Sequence, residues 1–298
     1  MTQRRISRLL PLGLLFVLLS GCALEESQQP QQTERRPAPN QPVVVAPEAA
    51  RSLWPTDAPP IRAVSAILID ARTGGTLFQK NADEQRQVAS TQKLVTALIV
   101  AEQDPLDAPV RVAREDTTVE PTKVGIRAGE SYPRRQLLSA MLVHSANDCA
   151  AALARSHAGS LGGFAGDMNG LAVRCGATCS HFVNPHGLPA SQHSTARDMA
   201  RIAFRAYRNP DLRDAMAMRS YCFRYSSGRL CNLDPTNKLL LRDPYCNGMK
   251  TGFTESAGKC LITSYSKGGR DFILVQLGSH ARYIFDDAER MMQWAQVH

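Results

Sequence analysis

Residues 94–100 leave this chain little choice. With Leu94, Ala97, Leu98 and Val100 the run is apolar nearly all round, and a helix without a polar face belongs inside a molecule. At its head stands Ala89-Ser90-Thr91-Gln92-Lys93. On a helix beginning near Ser90, the side chains of Ser90 and Lys93 lie one turn apart on the same face, so the amine can reach the hydroxyl. The buried run behind them then puts the serine on the floor of a crevice. A serine hydroxyl is a poor nucleophile until a neighbour takes its proton, and Lys93 can do so if desolvation and nearby cations lower its pKa. The spacing alone carries little weight. It recurs at Ser256/Lys259 and Ser264/Lys267, and a capping serine at an exposed helix start would produce it equally well.

Strand patterns lie at the two ends of the folding region. Residues 63–69 alternate and run apolar, residues 70–75 are rich in turn formers, and Thr76-Leu77-Phe78 returns as a second strand. Three further strand-like runs cover residues 247–250, 260–265 and 272–277, after a hairpin signal at Ser226-Ser227-Gly228. Between them, residues 104–132 read as loop, residues 135–153 as helix interrupted at Ser145-Ala146-Asn147, and residues 194–207 as helix capped by Ser194 or Thr195. Residues 281–297 repeat apolar positions at Ile284, Ala288, Met291, Met292 and Ala295, a stripe suited to covering a sheet. The economical arrangement is α+β: a five-stranded antiparallel sheet of the first two and last three strands, flanked by helices. An all-helical subdomain is inserted over about residues 104–245.

The first 60 residues read differently. Arg4, Arg5 and Arg8 precede an apolar stretch over residues 9–19, which closes at Leu19-Ser20-Gly21-Cys22. That ending looks like a lipobox, which implies cleavage of residues 1–21 and a lipid on Cys22; an ordinary secretory signal is the alternative. Residues 22–60, with Gln28-Gln29-Pro30-Gln31-Gln32, Pro37-Ala38-Pro39 and Pro59-Pro60, have too little apolar content to fold and read as a disordered stalk. The folded domain is expected over residues 61–298, outside the cytoplasmic membrane or in the periplasm, with the membrane reached through the N-terminal lipid. Ala23 favours the outer membrane where the host has one.

Losing residues 1–21 lowers the formal charge from +8 to +5, since three arginines and no acids leave with them. No basic block or aromatic-basic interleaving remains to suggest nucleic acid. Seven of the eight cysteines follow Cys22. In an exported chain these could pair, as Cys222 with Cys231, Cys246 with Cys260 and Cys175 with Cys179, leaving Cys149 odd, although spacing does not fix connectivity. Zinc is a poor alternative: no second C-x-x-C half exists, and His181, His186 and His193 are spaced like loop residues. No cofactor or metal is expected.

Two further motifs raise the weight of Ser90 and Lys93. Ser145-Ala146-Asn147 and Lys250-Thr251-Gly252 follow in order, and neither S-x-N nor K-T-G recurs. Taken singly they are a capping hydroxyl, a turn residue and a hairpin corner; S-x-x-K, S-x-N and K-T-G in that order are the signature of penicillin-recognising serine hydrolases. The chain from about Val64 onward resembles the D-alanyl-D-alanine carboxypeptidases among the low-molecular-mass penicillin-binding proteins. Further matching fragments are residues 69–74, Phe164 with Met168-Asn169, residues 182–188, Ser194-Thr195-Ala196-Arg197-Asp198, and residues 248–254 with Ala257-Gly258. The resemblance implies a β-lactamase/transpeptidase-like fold and removal of the terminal D-Ala from peptidoglycan pentapeptides, with β-lactams as covalent inhibitors. It makes Ser90 the acylated nucleophile, Lys93 its base and Ser145 the proton relay. Asn147 would bind the peptide backbone, Lys250 and Thr251 the terminal carboxylate, and Gly252 would let substrate lie against the strand. The amides of Ser90 and Phe253 would form the oxyanion hole.

The chain departs from that pattern at Gln92, where relatives usually have threonine, at Phe253, where histidine is common, and in stopping after its last helix. A class A β-lactamase would need a glutamate between the second and third motifs, and residues 148–249 contain none. Endopeptidase action on wall cross-links uses the same machinery and ranks second. A non-catalytic wall-binding lipoprotein would be expected to have lost Ser90, Lys93 or Lys250.

Overall fold

The computed structural model describes residues 57–298, so the lipobox, Cys22 and most of the stalk lie outside the described residues. Ala58 and Ile61 are already buried, and the Trp294 indole donates to Asp57. The folded domain therefore already includes residues before the expected boundary at 61.

Besides two one-turn 3-10 segments, nine strands and eight α-helices are described. In chain order they are β1 (Ser65–Asp70), β2 (Thr76–Lys80), α1 (Lys93–Gln103), β3 (Pro109–Arg111), β4 (Ser131–Pro133), α2 (Arg134–Val143), α3 (Asn147–Ala158), α4 (Leu161–Arg174), α5 (Ala196–Arg208), α6 (Pro210–Met216), β5 (Tyr221–Arg224), β6 (Leu230–Leu233), α7 (Leu239–Arg242), β7 (Cys246–Thr254), β8 (Gly258–Lys267), β9 (Arg270–Ser279) and α8 (Ile284–Ala295). Strands β2-β1-β9-β8-β7 form one sheet in that order, with every neighbouring pair antiparallel. This is the sheet expected from the two ends of the chain, and the long insertion leaves it between β2 and β7, its two edge strands.

Strand alternation divides the core in two. On β1, Ala66 and Leu68 face α8 while Ile67 and Ile69 face the inserted helices; on β9, Phe272 and Leu274 take the first side, Ile273, Val275 and Leu277 the second. The α8 stripe read from the sequence, Ile284, Ala288, Met291, Met292 and Ala295, is buried against the first side. On the second side α1 is buried from Lys93 to Val100, as its all-round apolar character requires. Thr195 caps α5 by accepting from the Asp198 amide.

The insertion is not all-helical, since it carries two two-stranded ribbons, β3-β4 and β5-β6. The first falls in the stretch read as loop. Its strands are three residues each, too short for an alternating pattern to register. Helix α4 was not legible as an element because Gly162, Gly163, Gly166 and Gly170 dilute its pattern. It is held by buried Phe164, Met168, Leu171 and Ala172 and by a Ser160 cap on the Gly163 amide.

All seven described cysteines are free. Ribbon register explains one pair: Cys222 lies opposite Asn232 and Cys231 opposite Phe223, so the two thiols project from opposite faces. Cys260 lies opposite Gly252, and Cys246 opposite Tyr265, several residues further along, beyond the reach of a disulfide. Among the described residues no helix is long and apolar enough to cross a membrane, and no cluster of three or more metal-ligating side chains occurs.

Candidate active site

Ser90 does not open the α-helix itself. It sits in a one-turn 3-10 segment, Ala89–Gln92, from which α1 continues at Lys93. Ala89 adopts φ 48°, in the left-handed region. Two glycines close on this strained turn. A Cβ at Gly187, whose own φ is +86°, would lie 2.2 Å from the Ala89 carbonyl oxygen, and a Cβ at Gly252 would lie 2.8 Å from the Ser90 amide nitrogen. Gly252 thus has a structural task beyond leaving room for substrate: it lets β7 approach the nucleophile's backbone.

The one-turn spacing delivers what it promised. The Lys93 ammonium or amine nitrogen Nζ is 2.8 Å from Ser90 Oγ, 2.7 Å from Asn147 Oδ1 and 2.6 Å from the His186 carbonyl. Ser90 Oγ also lies within donating distance of that carbonyl, at 3.1 Å. Lys93 is fully buried. Burial, and then the charge of Lys250, hold its pKa well below the usual lysine value against the opposing pull of Asp148 and Cys149. The neighbouring His186 ring is also kept neutral, its pKa pushed down to about 3 by burial and by Lys93.

Ser145 comes from the break between α2 and α3, and Asn147 opens α3. Ser145 takes φ 65°, a second left-handed residue at the site, and lines the same cavity of about 410 Å³ as Ser90, Thr251, Gly252 and Phe253. Asn147 is buried and occupied: Oδ1 accepts from Lys93, and Nδ2 donates to the Glu120 carbonyl at 3.1 Å. In this arrangement Asn147 tethers the amine, a contact beyond the substrate role the resemblance implies for it.

The third motif lies on edge strand β7. Lys250 is buried, its amine donates to the Thr251 carbonyl at 3.0 Å, and burial alone lowers its pKa to about 7. No carboxylate pairs with it among the described ion pairs, which leaves its charge available to a carboxylate brought by a ligand. Thr251 Oγ1 donates to Thr236 Oγ1 at 2.7 Å. Phe253 is exposed at the cavity wall, with Lys259 Nζ 4.0 Å from its ring centroid.

Three sets of supporting residues lie around these groups, and of them only Gln92 was singled out from the sequence, as a departure from the family pattern. Thr236, before α7, anchors Thr251. Asp148, fully buried next to the second motif, accepts from the amides of Val124, Gly125, Ile126 and Cys149 and so fixes the loop beside Asn147. Gln92 and Thr96 hold the chain that presents the His186 carbonyl, donating to the carbonyls of Asn184 and Pro185. Asp148 was visible only as a neighbour of a motif residue, and Gln92 only as a departure from the family pattern. Apart from Cys149, their partners lie 22 to 100 positions away, where spacing carries no signal.

Two hydroxyls, Ser90 and Ser145, therefore line one cavity, with a low-pKa amine bonded to the first and the buried Lys250 near enough to lower that amine's pKa, a set suited to acyl transfer from a substrate with a terminal carboxylate. A family profile described as D-alanyl-D-alanine carboxypeptidase matches residues 54–281. A D-alanyl-D-alanine endopeptidase of Pseudomonas aeruginosa is 31% identical over 239 residues, covering 78% of this chain and 77% of that protein. A D-alanyl-D-alanine carboxypeptidase of Mycobacterium tuberculosis is 33% identical over 219 residues, covering 71% and 73%. The fold matches the crystal structure of a D-alanyl-D-alanine carboxypeptidase from Mycobacterium tuberculosis H37Rv with a TM-score of 0.79 at 30% identity, covering 83% of this chain and 96% of that one.

Proposed function

This chain belongs to the D-alanyl-D-alanine carboxypeptidase family and is a serine hydrolase of that family, and on this premise we propose the reaction its site performs. It removes the terminal D-Ala from peptidoglycan stem peptides through an acyl-enzyme on Ser90. The observation that carries this reading is a buried, low-pKa Lys93 amine 2.8 Å from Ser90 Oγ. In the neutral form the amine accepts the hydroxyl proton as Oγ attacks the penultimate carbonyl. The proton passes by way of Ser145 to the departing D-Ala nitrogen, the C–N bond breaks, and an ester to Ser90 remains. Water, deprotonated by the same amine, then cleaves the ester. Lys250 and Thr251 bind the leaving D-Ala carboxylate, and the amides of Ser90 and Phe253 receive the oxyanion. One such donor is worth about 100- to 1,000-fold in rate.

The test is a mass measurement on the chain incubated with benzylpenicillin, followed by assay on a peptide ending in D-Ala-D-Ala. The expected result is a covalent adduct that is absent in Ser90→Ala, together with release of free D-Ala. An intact chain that forms no adduct would overturn the reading. The 31% identity to a Pseudomonas aeruginosa endopeptidase favours D,D-endopeptidase cleavage of cross-links as the second reading. A cross-linked muropeptide that is cut while the linear peptide is not would establish it instead. The Leu19-Ser20-Gly21-Cys22 sequence supports a lipid anchor, which Cys22→Ala should abolish, releasing the protein from membranes.

A further inference from the structure

We infer that Gln92 is a positioning residue for the reaction proposed above: by clasping the loop of residues 184–192 it fixes the His186 carbonyl, and through it the direction of the Lys93 lone pair. A neutral amine has two hydrogens to give and one lone pair. Of the three oxygens around Lys93 Nζ, Asn147 Oδ1 and the His186 carbonyl can only accept, and Ser90 Oγ alone can donate. When both carbonyls stay in reach they take the two hydrogens, and the lone pair is left for the serine proton, for which the His186 carbonyl, 3.1 Å from Ser90 Oγ, is the competing acceptor. If the His186 carbonyl retreats, that ordering is lost and Lys93 donates to Ser90 as readily as it accepts.

Nothing in regular secondary structure holds His186 in place, since residues 184–192 belong to no helix or strand. Three consecutive carbonyls in this segment are instead gripped by side chains from the end of the nucleophile's 3-10 turn and the start of α1. Gln92 Nε2 donates to Asn184 O, Thr96 Oγ1 to Pro185 O at 2.7 Å, and Lys93 Nζ to His186 O at 2.6 Å. Gln92 Nε2 also donates to Gln192 Oε1 at 3.1 Å, and Gln192 accepts from the Val183 amide and donates to the Leu188 carbonyl. The two buried amides thus tie both ends of the loop to the turn that carries Ser90. Folding alone gives little reason for a glutamine here. Its Oε1 is buried with no hydrogen-bond partner, which costs stability. The clasp is uncharged. The charged and titratable groups that face Lys93 are Lys250 from β7, Asp148 and Cys149 from α3, and His186 from the loop. Gln92 therefore acts through geometry and water exclusion, without a Coulombic effect of its own.

The experiment follows benzylpenicillin acylation of the full chain against pH by mass spectrometry, with a thermal melt alongside, for the wild type, Gln92→Met, Gln192→Met and the double variant. Gln92→Met fills the volume and removes the donor. The expected result is an acylation rate constant about 10-fold or more lower, within the range general-base positioning commands. Its ascending pH limb should move to higher pH, because water admitted by the loosened loop raises the Lys93 pKa. Gln192→Met should act in the same direction more weakly, and the double variant should be no slower than Gln92→Met, as expected for one shared clasp. Variants that melt earlier yet acylate at the wild-type rate with an unmoved limb would overturn the inference and leave Gln92 a packing residue. No adduct on the wild type itself would overturn the hydrolase reading and this inference with it.

Discussion

The two faces of the five-stranded sheet are packed by different rules. Against α8 the filling is plain: Leu68, Phe78, Leu274, Met291 and Met292 interlock. The buried acid Asp287 is paired with Arg62, its Oδ1 accepting from the guanidinium at 2.8 Å. The helical side buries Lys93, Lys250, Asn147 and Asp148 beside two residues in the left-handed region, Ala89 and Ser145. A buried cation without an anion, or a strained turn, is a cost to folding, and this protein collects such costs around one cavity. The contrast teaches where stability and activity should separate under mutation.

The largest separation is expected at Lys250. Its folded pKa of about 7 lies below the roughly 10.4 of an unfolded lysine, so between these values the unfolded chain binds more protons and stability rises with pH. Below pH 7 the folded chain buries a full ammonium. Lys250→Met should therefore stabilise the protein by something on the order of a few kcal/mol near pH 7, a gain that fades as pH approaches 10. The same change should slow D-Ala release by roughly 100-fold or more, since the substrate carboxylate loses its buried partner. Thermal melts at several pH values together with the peptide assay check both signs. A variant both less stable and less active would break the contrast.

On the other face the reverse is expected. Met291 is fully buried among α8 and sheet residues and does not line the cavity that holds Ser90 and Ser145. Met291→Ala should cost about 2 to 5 kcal/mol in denaturant unfolding while acylation per folded molecule stays at the wild-type level.

How far each face could be read beforehand follows the same division. The α8 stripe and the β1 and β9 runs were legible because burial on one side imposes a period of 3.6 or 2. The motif residues were legible because their chemistry demands particular side chains in fixed local spacing. What supports them was not. Asp148 meets amides of residues 124–126, Gln92 meets Asn184 and Gln192, and Gly252 meets Ser90, contacts made across the fold between segments with no common period. The Asn147 contact with Lys93 was not legible either, because an amide reads identically whether it binds substrate, lysine or both. The short ribbon β3-β4 and the glycine-diluted α4 lacked enough regular positions to show.

The smallest expected effect is the sharpest probe of the comparison. Asp148 accepts from four amides, Gly125 at 2.8 Å and Cys149 at 2.9 Å the shortest, with Val124 and Ile126 both at 3.3 Å. Asp148→Asn keeps the shape but turns one acceptor into a donor aimed at N–H groups, which should cost about 1 to 3 kcal/mol. The lost charge has a second consequence. Asp148 raises the Lys93 pKa, whereas burial and Lys250 lower it and Cys149 opposes them. Without Asp148 the amine should lose its proton at lower pH, so the ascending limb of acylation should move down, opposite in direction to its shift in Lys250→Met. Benzylpenicillin acylation across pH on both variants reads the two shifts. If Asp148→Asn loses stability and leaves the limb unmoved, the acid is scaffold of the kind Asp287 supplies beneath α8, and the electrostatic distinction between the faces narrows to the two lysines.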